Sequence, residues 1–345
     1  MINRIIAFFI TLFLVLSIST YAEKSAPDEA IDKLQKAGIS ADNEGLLILK
    51  RYSYYFSEIR KGNAFGHTSL TGYKKAPPIY DYIAFSVVGY KGTINKIVEN
   101  TIAGKDAFEG ITGLFERAYK SDTEPQIDSY LIYLPTSYDK EKQYPLVIFL
   151  HGSCENVYMP ITATGHQPFI EACENQRFIL IAPNGKCHYD STKPKDGLSD
   201  YMGIGEDDIL NVIKNVRGCY NINEKQIYLT GCSLGGFGSW YIGSRHTDIF
   251  AAIAPCCGIG MGIKDDEIDL PSIDVNKLKN TPVYVFHGNI DPIVPVTDSR
   301  QMVQKLKEIG ADVTYEEFPG VGHNAWDYAY NNDRLLQWFL KNSKE

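Results

Sequence analysis

The sequence has no run of basic residues, no repeat at a fixed period and no C-x-x-C pair. The first absence, with 34 Lys and Arg against 42 Asp and Glu and a net charge of −8, excludes a nucleic-acid grip, which needs clustered cations facing the phosphates. The second excludes solenoids and propellers. The third argues against a structural zinc site. Long apolar runs are also scarce. The one candidate, Ile5 to Ile18, falls short of the roughly 20 residues that span a bilayer. What is present is ordinary for a folded chain: 44% hydrophobic and 22% charged residues in 345, too apolar for disorder and long enough for about two domains.

The apolar run follows Arg4 and leads into Ser19-Thr20-Tyr21-Ala22, with Thr20 and Ala22 at the small-residue positions of a cleavage site. Residues 1–22 therefore read as a signal peptide, and the expected location is secreted or periplasmic, with no membrane attachment after cleavage. Export permits disulfides among Cys154, Cys173, Cys187, Cys219, Cys232, Cys256 and Cys257, and the odd count leaves at least one thiol over. At most three bridges are expected. Cys154–Cys187 is the best pair, with Cys232 near Cys256/Cys257, and Cys173 and Cys219 flanking helices on one face.

Two regions differ in pattern. Residues 23–124 read as an accessory region, partly helical, with helices expected at 28–37, 44–60 and 106–120 and a strand at 80–90. Its aromatic group at Tyr52, Tyr54, Tyr55 and Phe56 reads as core packing more readily than as a carbohydrate platform. From about Pro125, apolar β-branched runs at 129–134, 146–150, 178–182, 226–230, 250–254, 283–287 and 313–318 alternate with helical stretches at 168–175, 207–216, 235–244, 297–309 and 331–340. Near-continuous hydrophobic strands separated by helices predict an α/β domain over 125–345, a mostly parallel sheet flanked by helices. Chemistry in such sheets sits at the carboxyl ends of strands.

Those ends carry the motifs. Gly231-Cys232-Ser233-Leu234-Gly235 is G-x-S-x-G between an expected strand and an expected helix, the turn that exposes a serine nucleophile beside a helix N-terminus. A serine hydroxyl needs a base, and in this chain order the acid and then the histidine should follow. Asp291 lies on the loop after the strand ending at His287, and His323 on the glycine-framed loop after the last strand. Ser233, Asp291 and His323 are thus the expected catalytic residues. Asp298 and Asp312 are poorer candidates for the acid. The oxyanion hole should use the N–H of Leu234 and of Ser153, with Cys154 as the alternative second donor. His151 and His287 read as structural strand-end residues. Glu206, Asp207 and Asp208 read as the capping and dipole-compensating residues of a helix, so no metal is expected.

The segments YLIYLP, PLVIFLHGS, QIYLTGCSLGGFGSW, IAPCCG, VYVFHGNIDPIVPV and FPGVGHNAWDYAY resemble secreted bacterial α/β-hydrolase esterases of the prolyl-oligopeptidase-like and polyhydroxybutyrate depolymerase/feruloyl-esterase type. The resemblance covers residues 125–345. It implies the α/β-hydrolase fold and cofactor-free carboxylesterase chemistry, with Ser233 as nucleophile, Asp291 as acid and His323 as base. Two departures matter. Cys154-Glu155-Asn156 stands where relatives often have Gly-Glu, and Asn324 follows the histidine. The Ser–His-linking disulfide of fungal tannase-like feruloyl esterases therefore cannot form from Cys232. The substrate expected is a small-molecule or polysaccharide-linked ester. The alternatives are a serine peptidase of the prolyl-oligopeptidase type, whose usual propeller 23–124 is too short to build, and a non-catalytic binding protein on the same scaffold. The 28 residues of 255–282, Gly-rich and then acidic, should not build an apolar lid. The cleft walls expected instead are 155–164, 186–205 with Tyr189 and Tyr201, and Trp326, with Tyr201 and Trp326 the named substrate contacts.

Overall fold

The computed structural model describes residues 25–60, 91–120, 127–152, 167–183, 201–264 and 269–344. The leader at 1–22, the strand expected at 80–90, the loops 155–164 and 186–200 with Tyr189, and the acidic run 265–267 lie outside the described residues.

The described residues build an eight-stranded sheet. Among them three helices come first, α1 (Ala26–Lys36), α2 (Glu44–Arg60) and α3 (Lys91–Ile102). Strands β1 (Gly113–Lys120), β2 (Ile127–Leu134) and β3 (Tyr144–Leu150) follow, then α4 (Gln167–Gln176), β4 (Ile179–Pro183) and α5 (Ile204–Cys219). The elements that end at the site come next: β5 (Ile222–Cys232), α6 (Leu234–Arg245), β6 (Ala252–Cys256), a two-stranded hairpin β7 (Ile263–Lys264) and β8 (Asp269–Leu270), β9 (Val283–Gly288), α7 (Val296–Glu308) and β10 (Val313–Phe318). The chain closes with α8 (Trp326–Ala329) and α9 (Arg334–Lys341). The order across the sheet is β1-β2-β4-β3-β5-β6-β9-β10. β1 and β2 pair antiparallel, as do β2 and β4, and the remaining pairs are parallel.

The expected parallel sheet forms because its strands are apolar on both faces. Every residue of β4, β6 and β9 is buried, so helices must cover both sides. One core packs Phe169, Cys173, Phe178, Tyr330, Leu336 and Phe339 against one face. The other joins Ile209, Val212, Ile213, Phe237, Trp240, Met302 and Leu306 on the opposite face. This arrangement corrects the expectation that Cys173 and Cys219 share a face. Cys173 belongs to the first core and Cys219 packs against the second.

Residues 106–120 are not a helix. A turn over 103–110 leads to Gly113, at φ 80°, and β1 pairs residue for residue with β2 from Gly113↔Leu134 to Lys120↔Ile127. Glu, Arg, Ala and Lys are good helix formers, but propensity amounts to about a few tenths of a kcal/mol per residue and cross-strand pairing overrides it. The sheet therefore begins before residue 125, and the helices of the N-terminal region join its core through Leu46, Leu49, Tyr52, Ile97 and Phe115. α3 was not anticipated, although Ile94, Ile97, Val98 and Thr101, all buried, keep the helical period. The α1 start carries a capping box: Asp28 N–H donates to Ser25 Oγ at 3.4 Å and Ser25 N–H to Asp28 Oδ2 at 3.1 Å.

Charge ties these helices to β1. The Arg117 side chain, 3% exposed, reaches Glu44 Oε2 at 2.7 Å and Asp106 Oδ2 at 3.1 Å, donates to Tyr220 Oη at 3.1 Å and lies over the Phe108 ring. Arg51 Nε donates to the buried Glu116 at 2.5 Å, which also accepts from Ser129 Oγ at 2.6 Å. Removing one partner of a buried pair strands the others, so Arg117→Ala should lower stability by about 3 kcal/mol. Urea unfolding of the variant beside wild type measures that loss.

Candidate active site

β5 ends in Cys232 and α6 begins at Leu234, so Ser233 is the whole turn between them. Its backbone sits at φ 56°, ψ −116°, a left-handed conformation that costs a residue with a Cβ about 1–2 kcal/mol. The glycines of the motif are there for space. A Cβ on Gly235 would stand 2.0 Å from the Leu150 carbonyl oxygen, and one on Gly231 2.5 Å from the same atom. Only bare backbone lets α6 leave the sheet at this point. Ser233 N–H is tied to the Cys256 carbonyl at 2.9 Å, which fixes the turn to the next strand.

Two loops deliver the partners. His323 Nε2 lies 2.8 Å from Ser233 Oγ, and His323 Nδ1 lies 2.7 Å from Asp291 Oδ2. A carboxylate only accepts, so Nδ1 carries the proton and Nε2 is left to accept from the serine hydroxyl. The Asp291 side chain is fully covered, while the His323 side chain is 18% exposed. Burial pushes the Asp291 carboxyl up, but hydrogen bonds from His287, His323 and the N–H groups of Val294 and Ile293 outweigh it and hold the group well below the usual carboxylate range. Asp298 goes the other way: burial raises it, and its oxygens accept from Gly260 N–H at 2.8 Å and Met261 N–H at 3.1 Å. It pins the loop after β6 and does not face His323. Asp312 is exposed and its contribution is a backbone carbonyl to Val283.

The structure thus brings Ser233, His323 and Asp291 into one hydrogen-bonded chain. Leu234 stands at the first position of α6. Ser153 and the alternative donor Cys154 lie outside the described residues, as does Cys187. Trp326 meets the His323 ring edge-on, with centroids 5.3 Å apart. Tyr201 is not a cleft wall. It is wholly buried, its hydroxyl donates to the His151 carbonyl at 2.8 Å, and its ring lies where a Cβ on Gly238 would be. Tyrosine fills that gap because α6 has no side chain there, so no substrate can reach it. His151 is buried against Tyr201, in keeping with a structural role. Glu206 is more than a dipole-compensating residue. Nearly buried, it pairs with Arg245 at 2.7 Å and His246 at 2.6 Å. Asp208 accepts from the Tyr119 hydroxyl.

The expected pair Cys154–Cys187 lies outside the described residues. Among the described residues, Cys173, Cys219, Cys256 and Cys257 are unbridged. Cys232 and Cys256 end adjacent strands as expected, face each other in register and lie in the apolar core. Cys257 makes a contact that the sequence does not reveal. At φ 42°, its Sγ donates to the His323 carbonyl at 3.4 Å, tying the histidine loop to the end of β6. Cys257, Asp291 and His323 bring three metal-type donor atoms within 4.8 Å of one another. Nδ1 and the carboxylate already satisfy each other there, so the set positions the histidine.

A family described as Putative esterase matches residues 128–333. The chain belongs to that family. The match takes in every residue of the Ser233–His323–Asp291 chain and stops short of the N-terminal helices. Solved structures agree in architecture: a thermostable esterase of known structure is 28% identical, with 67% of this chain and 63% of that one aligned at a TM-score of 0.52. A ferulic acid esterase from Anaeromyces mucronatus, 17% identical over 65% of this chain and 90% of its own at 0.50, shares the fold. Both likenesses identify this esterase-family member as an α/β-hydrolase fold. Among curated relatives, the uncharacterized peptidase YuxL of Bacillus subtilis (strain 168) is 24% identical over 61% of this chain and 35% of its own length. The chain spans about a third of the length of the first such relatives it matches.

Proposed function

We propose that the protein is a serine esterase that hydrolyses carboxylic esters through an acyl-enzyme on Ser233, acting on short acyl or aryl esters, polysaccharide-linked ones included, in a secreted or periplasmic setting. The observation that carries the reading is the continuous hydrogen-bonded path from Ser233 Oγ through His323 to a buried Asp291. Membership of the esterase family supports the bond type, and the leader-like segment 1–22 supports export.

His323 Nε2 takes the hydroxyl proton as Ser233 Oγ attacks the ester carbonyl. The carbonyl oxygen becomes an oxyanion held by the Leu234 and Ser153 N–H groups at the start of α6 and after β3. Asp291 keeps the imidazole in its Nδ1–H tautomer and stabilises the imidazolium without taking its proton. His323 returns the proton to the leaving alcohol. A water activated by the same Nε2 then hydrolyses the acyl-serine and releases the acid. No cofactor or metal enters these steps.

The segment between β6 and β9 supports short substrates. The Gly258–Gly262 stretch is pinned by Asp298, and the chain continues into the β7–β8 hairpin and a single 3-10 turn, Val275–Leu278. Among the described residues this segment holds no apolar lid helix. Turnover of nitrophenyl esters should fall as the acyl chain lengthens, with no jump when substrate passes its critical micelle concentration. Interfacial activation on long-chain triglycerides would refute the short-substrate reading. Peptidases among the curated relatives set the second arm of the test: a Pro-peptide substrate assayed beside nitrophenyl acetate should show the ester cleaved and the peptide left intact.

A further inference from the structure

Asp291 Oδ2 faces two imidazoles. Besides His323 Nδ1 at 2.7 Å, His287 Nε2 lies 3.3 Å away. His287 is the penultimate residue of β9 and is wholly buried. Its Nε2 also lies 3.0 Å from the Val294 carbonyl oxygen, and its Nδ1 2.7 Å from the Ser299 hydroxyl on α7, which is itself fully buried. The partners fix the protons. Both oxygens facing Nε2 can only accept, so Nε2 is an N–H; in the tautomer that carries this one ring proton, Nδ1 accepts from Ser299 Oγ–H.

The geometry points to His287, oriented by Ser299, as a positioning residue for the hydrolysis: it donates to the acid and fixes the oxygen that fixes His323. The inference rests on the triad reading of the preceding subsection. The two oxygens of Asp291 have separate duties. Oδ1 accepts from the Ile293 and Val294 N–H groups at 2.8 and 2.9 Å, anchoring the carboxylate to its own loop. Oδ2 does the chemistry, and His287 is its second donor. As His323 becomes an imidazolium, Asp291 must stay an acceptor aimed along Nδ1–H. A second N–H on the same oxygen lowers its appetite for the proton and removes its freedom to swing. The path therefore runs Ser299–His287–Asp291–His323–Ser233, tying α7 to the nucleophile. The sequence held a trace of it: His287 stands four residues before Asp291, on the strand whose end carries the acid loop, so its ring and the carboxylate meet where the loop folds back.

Three variants test this, each read as kcat per serine titrated by a fluorophosphonate, so that loss of folded protein is divided out. His287→Leu removes the donor at similar volume. His287→Gln returns an N–H near the position of Nε2. Ser299→Ala removes only the hydroxyl that sets the tautomer. At metal sites, hydrogen bonds that orient a ligating group are worth about 10–100-fold when removed, and the same scale serves for one that orients the acid. On that scale, His287→Leu should lose about 100-fold and Ser299→Ala about tenfold, with KM within about threefold in both because neither touches substrate. His287→Gln should recover to within about fivefold of wild type. The double variant His287→Leu/Ser299→Ala should be no worse than His287→Leu alone, since the hydroxyl acts only through the imidazole. A per-site kcat for His287→Leu close to wild type overturns the proposal, and so does a His287→Gln as impaired as the leucine variant. If the leucine variant does not fold, Ser299→Ala decides alone, and wild-type turnover per site overturns it. Failure of the triad reading would look different: Ser233→Ala would keep its turnover and the phosphonate would not label Ser233.

Discussion

Ser233→Ala is expected to abolish ester hydrolysis and leave the fold intact. Alanine takes the same left-handed backbone at the same steric cost, because both residues carry a Cβ. The deleted hydroxyl lies at a half-buried position, and its partner His323 keeps Asp291. The change in stability should therefore stay within about 1 kcal/mol. What is lost is the attacking atom. Without it, His323 has no proton to take, and the residual rate is what the oxyanion donors and binding give to water attack. Removal of the nucleophile in such a unit costs roughly 10⁴–10⁶ in kcat. Turnover of nitrophenyl acetate beside a thermal melt measures both halves. A folded variant with wild-type turnover would remove the basis for the proposed mechanism.

Residues whose placement depends on chain order are legible in the sequence, and those whose placement depends on what packs behind them are not. G-x-S-x-G states its own geometry, because Gly231 and Gly235 can only be explained by the closeness of the Leu150 carbonyl. Asp291 and His323 follow from strand ends in sequence order, and the seven apolar runs from 129 onward each became a strand of the sheet. β1 reads as helix because Glu116, Arg117 and Lys120 look helical in isolation. Their strand conformation comes from β2, and the charges are tolerated because Arg51 and Glu44 come from helices distant in sequence. Tyr201 reads as a cleft wall because it lies in the stretch 186–205 between an expected strand and an expected helix. It is a core residue because Gly238, far along the chain, leaves a gap of its shape. His287 reads as a strand-end residue and stands at a strand end, and its spacing of four from Asp291 hints at their contact, but the contact itself is set by how the acid loop folds back.

Asp291→Asn separates the electrostatic duty of the acid from its shape. The amide must choose an orientation. Its oxygen goes to the Ile293 and Val294 N–H groups, which are fixed donors at the position of Oδ1. The NH₂ group then points at His323 Nδ1 and His287 Nε2, where Oδ2 had been. Two donors cannot face each other, so His323 turns to its other tautomer, with the proton on Nε2, and can no longer accept one from Ser233. Loss of the correct tautomer in such a triad costs about 10⁴ in kcat. The His287 N–H is also left facing a donor, and a buried hydrogen-bonding group without a partner costs about 1–3 kcal/mol. The variant should therefore be slower by about 10⁴, measurably less stable at neutral pH, and still labelled by fluorophosphonate, slowly. It should also lose part of the acid sensitivity of the fold. The Asp291 carboxyl is held low in the folded chain, so below the ordinary aspartate value of about 3.9 the unfolded chain binds the extra proton. That contribution to stability is present above about pH 4 and is lost as pH falls towards the folded value. Asparagine does not titrate, so chemical unfolding followed from pH 6 to about pH 2 should show a shallower loss for Asp291→Asn than for wild type. Parallel curves would mean that Asp291 is not held ionised by its neighbours, and the account of its role in orienting His323 would fall with them.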